Sequence, residues 1–571
     1  MNIVKALLPF IFCGTSAMAA KPPAPHLVVL KDNERLIDKA LPTESQTQDT
    51  VRLRGWRGER VSAQVVAWAQ VGMAKWPGCP RGIDCSALQA ENGGAVLQPR
   101  CRYVAETMAH GKPVADVVYA GRWRHECFPG GNRPLAFMVQ LDIPADAAPG
   151  VYRGVVKLKG GYVPKPYYCV GASVEVPVEL VVEQGVLPAP RDWHFHLDLW
   201  QHPQSIARWH KVAPWSPEHF EAMRPYMTML AEAGQKVITC TLLDEAWNGQ
   251  THDAFPSNIE WIKGKDGTWR YDFSAFDAWV SFMMNDIGIT EQISCYTMVP
   301  WHMKVRYLDE ATGKYGHIKL DVNSPVWEQT WGPFLTAFRA HLQQKGWLHK
   351  TCIALDERPD HMARAAKAMV DKYAPELRIV SAVDKPSAFT REVYDLSPII
   401  THADTVMGDL LAERKAQGKK TTVYVCLHPQ KPNTFTFSPP AEADWIGLFV
   451  AANGLDGFLR WAYNSWNEDP FKCTDFGKWP SGDCFLVYPG ACSSVRFEHL
   501  RDGIEDAEKI RILRERAAAL GTPEAQAAID SLNRALLQLF TVPRSKGNTH
   551  GDDVRRAREL ISETTEILFR M

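Results

Sequence analysis

Residues 21 to about 190 alternate apolar and polar positions in short runs, such as Val51-Arg52-Leu53-Arg54, Arg60 to Val66, Tyr152 to Leu158 and Val174 to Val182. Gly and Pro clusters separate the runs. A period of two at this spacing predicts a β-sandwich, each strand burying one face. Leu187-Pro188-Ala189-Pro190 then reads as a stiff linker. From Trp193 the pattern changes, and apolar strand runs alternate with segments of helical period. The strand runs fall at 193–200, 236–243, 290–299, 351–357, 378–384, 399–403, 421–427 and 457–464. Helical segments lie between them, most clearly at 217–233, 273–285, 326–345, 362–373 and 442–453. Eight such units predict a (β/α)8 barrel, with a doubly wound sheet as the rival arrangement. The chain closes on amphipathic stretches at 497–516, 523–539 and 553–570. The expected fold is therefore multidomain: an N-terminal β-sandwich followed by a TIM-like barrel with a helical C-terminal tail. The corresponding ranges are 20–190, 191–519 and 520–571, after a leader over 1–19.

That leader is read from Lys5, the apolar run Ala6 to Cys13, and the small-x-small site Ala17-Met18-Ala19. The run is too short to span a bilayer, and no later stretch reaches the length of a membrane helix. Export to the periplasm or the medium is expected. Phe12 before Cys13 argues against lipidation. Export permits disulfides among the cysteines that remain. Cys240, Cys295, Cys352 and Cys426 lie in apolar strand patterns and read as core residues. The pairs Cys79–Cys85 and Cys473–Cys484 are candidates for bridges, and no CxxC occurs. Lys+Arg is 64 against 65 Asp+Glu. That balance lacks the excess of cations a nucleic-acid binder needs, and it gives no reason to expect an anionic membrane as partner.

A barrel of this kind carries its chemistry at the C-terminal ends of its strands. Those ends bring Asp198 and Trp200, then Asp244-Glu245 with Trp247 and Asn248, then Tyr296 and Trp301. The fourth gives Asp356-Glu357-Arg358, the seventh Tyr424 and the loop with Asn433, and the eighth Trp461, Tyr463 and Trp466. Carboxylates, amides and aromatic faces on one rim suit a sugar: acids and amides for hydroxyls, rings for the apolar face of a pyranose. Asp356-Glu357 is the sharpest pair. It follows a run that should be buried on both faces, where two acids are costly unless they face a polar pocket. Neighbours in a regular strand point to opposite sides, so the strand must bend there for both to reach one ligand. Arg358 is the obvious partner if the pair is instead a salt-bridged strand end.

The residues resemble glycoside hydrolase family 123. The resemblance rests on Trp200-Gln201-His202-Pro203, Ala233 to Ile238, Trp247-Asn248-Gly249-Gln250 and Asp356-Glu357-Arg358-Pro359, in that order. It continues through Pro432 to Pro440, Arg460 to Asn464, Tyr488-Pro489-Gly490 and Arg501 to Asp506. It implies an exo-acting, retaining β-N-acetylgalactosaminidase whose substrate is a glycan ending in β-linked GalNAc, with no cofactor and no metal. It also implies a substrate-assisted mechanism through an oxazolinium-like intermediate. Glu357 would be the general acid and base, and Asp356 would orient the acetamido N–H. A tyrosine, Tyr424 or Tyr463, would hold the acetamido oxygen. Trp461, Trp466, Trp200, Trp247, Trp301 and Tyr296 are wall candidates. Asn433 and Asn248 are candidates for hydroxyls, and Asp198 or Asp244 for the axial 4-hydroxyl.

Three other readings are set beside this one. A hexosaminidase preferring GlcNAc would use the same machinery. A non-catalytic carbohydrate-binding protein would need the rings but no proton donor. A metal-dependent barrel hydrolase would exploit His194-x-His196 with His402, but the matching Lys and His on the fourth and fifth strands are missing. No P-loop, dinucleotide or serine-hydrolase motif occurs.

Overall fold

A computed structural model describes residues 26–68, 82–121, 134–159, 174–543 and 550–571. The leader and Cys79 lie outside these residues. The N-terminal region forms two sheets facing each other, built from alternating strands such as Val51–Arg57, in which Val51, Leu53 and Gly55 are buried between exposed arginines before Trp56 turns in as well. The anticipated linker is a packed joint instead. Leu187 is buried with its N–H on the Arg57 carbonyl, and the Trp193 indole donates to the Pro188 carbonyl at 2.8 Å.

Eight parallel strands follow: β1 His196–Leu199, β2 Val237–Thr241, β3 Gln292–Tyr296, β4 Thr351–Asp356, β5 Arg378–Val383, β6 Asp395–Pro398, β7 Lys420–Tyr424 and β8 Gly457–Arg460. From β2 to β8 each pairs with the next, β8 pairs with β1, and between β1 and β2 only an isolated bridge, Leu197 with Gln235, joins the backbones. The rival doubly wound sheet is thereby excluded. The sixth strand is displaced from the expected 399–403, because Ile400–Val406 coils into a 3-10 helix.

The one weak seam is between β1 and β2, where two glutamines replace the backbone ladder. Gln235 Oε1 accepts from the Leu199 N–H at 3.0 Å, and its amide donates to the Leu199 and Val237 carbonyls. Gln201 Oε1 accepts from the Thr239 N–H at 2.9 Å, and its amide reaches the same two carbonyls. A side-chain amide carries a donor and an acceptor, as a peptide group does, so it can stand in for a strand's missing hydrogen bonds.

Sandwich and barrel are stitched together. Ser493–Ser494 adds a short strand to the edge of the first sandwich sheet. Asp116 of that sheet, fully buried, accepts from Arg35, from Arg496 at 2.9 Å and from the Tyr488 hydroxyl at 2.6 Å. Helices Ala441–Ala452 and Val495–Leu520 cross so closely that a Cβ on Gly447 would stand 2.3 Å from the Gly503 carbonyl carbon. Only glycine permits that approach. Pro523–Leu539 and Gly551–Arg570 complete the helical tail. Cys473 and Cys484 carry free thiols, so the bridge expected between them is absent.

Candidate active site

On β1 the side chains alternate strictly. Leu197 and Leu199 pack outward against the helices, while His196, Asp198 and Trp200 face the barrel axis. The lower interior is polar: His196 Nε2 meets Asp395 Oδ2 at 2.9 Å, and Gln292 donates to the same oxygen at 3.0 Å. Above this layer lies an aromatic cup. Trp200 packs on Tyr296 with ring centroids 4.4 Å apart and on Trp247 at 5.4 Å, and Phe255 and Tyr424 join the same cluster.

The two acids stand at the rim of this cup. β4 ends at Asp356, and Glu357 takes a left-handed backbone, φ 46°. A non-glycine residue there costs on the order of 1 kcal/mol. It also breaks the up-and-down alternation of the strand, so neighbouring carboxylates enter the same mouth. Asp356 Oδ2 accepts from the Trp301 indole N–H at 2.9 Å. Glu357 Oε1 accepts from the Tyr424 hydroxyl across the barrel on β7. Burial raises the Asp356 carboxyl to about 6; the Trp301 hydrogen bond opposes the shift and the neighbouring Glu357 charge adds to it. Burial and the Glu357 charge push the Tyr424 phenol up, so it remains a donor. Arg358 forms no ion pair with either acid. Its guanidinium lies 4.6 Å from the centre of the Trp301 ring and braces that ring against Asp356.

The structure brings together Asp356, Glu357, Tyr424, Trp301, Trp200, Trp247 and Tyr296. Trp461 flanks the cup, its indole fixed on Asp483 at 3.0 Å, its ring edge-on to His202. Asp244 is half-buried at the end of β2. Five candidates are placed elsewhere. Tyr463 is fully buried with its hydroxyl on the Tyr226 carbonyl, and Trp466 is fully buried with its indole on the Val487 carbonyl. Asn433 is spent inside its own loop, on the Cys426 and Pro429 carbonyls and Arg460. Asn248 is an exposed turn residue at φ 53°. Asp198 lies one layer below Trp200, nearly sealed, its carboxyl pushed well up by burial and by Asp395.

His194, His196 and His402 do not converge. His194 is exposed, His196 is tied to Asp395, and His402 bonds the Asp384 carbonyl. Two contributors went unnoticed in the sequence. One is the brace of Arg358, whose only signal was its place after the acids. The other is His202, 2% exposed between Trp247, Phe255 and Trp461, and held neutral by burial, which lowers it to about 3.

A family model for the catalytic domain of glycoside hydrolase 123 matches residues 200–513. The fold is that of a family 123 glycoside hydrolase from Clostridium perfringens, whose structure was described for glycolipid glycan hydrolysis: TM-score 0.83 at 24% identity, over 96% of this chain and 98% of that one. A Bacteroides ovatus GH5 xyloglucanase aligns far more loosely, TM-score 0.30 at 7% identity over 80% of this chain and 98% of that one. No curated protein matches the chain. The match over residues 200–513 contains the whole barrel mouth with Asp356 and Glu357, and the chain belongs to glycoside hydrolase family 123.

Proposed function

We propose that the protein is an exo-acting, retaining β-N-acetylgalactosaminidase that works by substrate assistance. The observation that carries this reading is the placement of the two acids. An enzyme with its own carboxylate nucleophile needs two acids flanking the scissile bond from opposite sides. Here Asp356 and Glu357 are chain neighbours at the end of one strand and enter the mouth from the same side. They suit a division of labour in which the 2-acetamido oxygen attacks C1. Glu357 protonates the leaving oxygen and then takes the proton of the incoming water. Asp356, ionised, accepts from the acetamido N–H and offsets the positive charge that develops on the oxazolinium ring. The Trp200, Trp247 and Tyr296 faces suit the acetamido methyl and the C–H face of the sugar.

Tyr424 is better placed than Tyr463 to reach the acetamido group, since its hydroxyl bonds Glu357 and its ring belongs to the cup. For the axial 4-hydroxyl, Asp244 at the rim is better placed than Asp198 beneath it. The substrate is a glycan ending in β-GalNAc, met outside the cytoplasm after export through the N-terminal leader.

The test is a pair of variants on substrates of graded leaving-group quality. Glu357→Gln is expected to lose most activity on poor leaving groups and least on activated phenols. Asp356→Asn is expected to lose it on all. The first product should be the β-anomer by NMR, and a thiazoline mimic of the oxazoline should inhibit competitively. An α-anomeric first product would contradict the mechanism.

A further inference from the structure

Two loops of the barrel carry an inserted four-stranded sheet, two antiparallel hairpins joined by a parallel pair: Glu260–Lys263 and Trp269–Asp272 after β2, and the hairpin Lys304–Asp309 with Lys314–Lys319 after β3. The hairpin starts three residues beyond Trp301, whose indole bonds Asp356. Its register decides what each face presents. Val305 and Ile318 pair on the face packed against the core. Lys304 with Lys319, Arg306 with His317, and Leu308 with Tyr315 pair on the opposite, solvent face.

That outer face is unusual in two ways. Among the described residues, the only exposed large aromatic side chains are Trp301, 37% exposed, and Tyr315, 50% exposed. Tyr315 lies on this face and Trp301 three residues before it begins; four residues of strand, Lys304 to Leu308, separate the Lys304–Lys319 pair from the level of Tyr315 by about 13 Å. The face is also basic. Lys304 and Lys319 stand directly opposite each other, a like-charge pairing that a sheet disfavours. Arg306 lies 3.5 Å from the centre of the Tyr315 ring. Among the described residues, no carboxylate lies within ion-pair distance of Lys304, Arg306, Lys319 or Arg358. Glu260 lies beside Arg306 and Tyr315, with Asp272 and Asp244 near it, and Arg358 feels the charge of Asp356. The hairpin's own outer face holds none.

Exposed rings spaced along a groove wall stack sugars, and unpaired cations between them bind anions. We infer that the strip from Arg358 and Trp301 through Lys304, Lys319 and Arg306 to Tyr315 is an extended leaving-group subsite for an acidic glycan, one whose sugars next to the terminal residue bear carboxylates. This rests on the glycosidase reading above, because the strip begins at Trp301, whose indole holds Asp356, the chain neighbour of the acid that would protonate the leaving oxygen.

The experiment uses three substrates. One is a short chain of alternating N-acetylgalactosamine and uronic acid with β-GalNAc at its non-reducing end. The second is the same chain with its carboxyls reduced to alcohols. The third is an aryl β-N-acetylgalactosaminide. Each is assayed with the wild type and with the double variant Lys304→Glu/Lys319→Glu, and binding of the first two is measured separately by calorimetry. The acidic chain should show a KM about tenfold below the reduced chain. That advantage should shrink as salt is raised and disappear in the double variant, with aryl hydrolysis unchanged. Equal handling of acidic and reduced chains by the wild type, or an undiminished preference in the double variant, would overturn the inference. Failure of the GalNAc reading looks different: no phenol is released, yet calorimetry still shows charge-dependent binding that the double variant loses.

Discussion

The Tyr424 hydroxyl on β7 donates to the Glu357 carboxylate at the end of β4, three strands away around the barrel. This bond fixes the side chain of the proposed acid across the mouth, where a glycosidic oxygen would arrive. Removing the hydroxyl leaves Glu357 free to turn outward, because its left-handed backbone already exposes it to solvent. Tyr424→Phe should therefore lower kcat about 10–100-fold while the melting temperature stays near that of the wild type. Steady-state kinetics beside a thermal melt checks this, and an unchanged kcat would count against the role.

The Asp356 carboxyl, raised to about 6 chiefly by burial, gives two pH predictions. The mechanism needs it ionised. The acidic limb of kcat/KM should therefore bend near pH 6, since that limb reports the free enzyme's groups. Lack of any bend between pH 5 and 7 would contradict a need for Asp356 to lose its proton near pH 6.

Stability follows from the same shift. Because the folded-state value lies above the ordinary one, the folded protein holds a proton between about pH 4 and 6 that the unfolded chain has released. Stability therefore falls as pH rises through that window, and the penalty is complete above pH 6. Asp356→Asn removes it. The variant should be more stable than the wild type by on the order of 1–2 kcal/mol at pH 7.5, after discounting for partial exposure. The gain should vanish near pH 4. Denaturant melts at the two pH values measure it.

The seam between β1 and β2 depends on Gln201 and Gln235. Gln201→Ala orphans the Thr239 N–H and frees carbonyls in a buried stretch, which should cost about 2–4 kcal/mol in urea unfolding. The same change should reduce activity, because His202 and Trp200 hang from that strand end.

Asp116 links the sandwich to the barrel by holding two buried guanidinium groups and a phenol. Arg496 in turn holds the Thr434 and Gly482 carbonyls, next to the Asp483 that fixes Trp461. Asp116→Ala should cost about 3–5 kcal/mol, as expected for a buried charge left unpaired. A loss below 1 kcal/mol would show that the sandwich is dispensable to the barrel.

Hydrophobic pattern alone located seven of the eight barrel strands within a few residues. β6 escaped because its inward positions are polar: Asp395 serves His196, and Ser397 also faces inward, so the apolar run just after it read as the strand. The inserted hairpin escaped because its strands are short and carry charges on alternate residues, as an exposed loop does. Asp356 and Glu357 were legible from two acids following a buried run. The bend that unites them was implied by strand geometry and appears as the φ of Glu357. What pattern could not settle was which strand-end aromatics open on the mouth. Tyr463 and Trp466 have the same composition and spacing as a sugar wall, but their polar atoms are taken by carbonyls between barrel and helices. Gln201 and Gln235 stood out only as pieces of family motifs, and their work as substitutes for a strand ladder depends on a neighbour 36 residues away.

The most direct test of the central claim is phenol release from aryl β-N-acetylgalactosaminide and aryl β-N-acetylglucosaminide, assayed side by side with the purified wild type. Rapid release from the galactosaminide, with little from its 4-epimer, is the predicted result. Release from neither, by a folded protein, would contradict it.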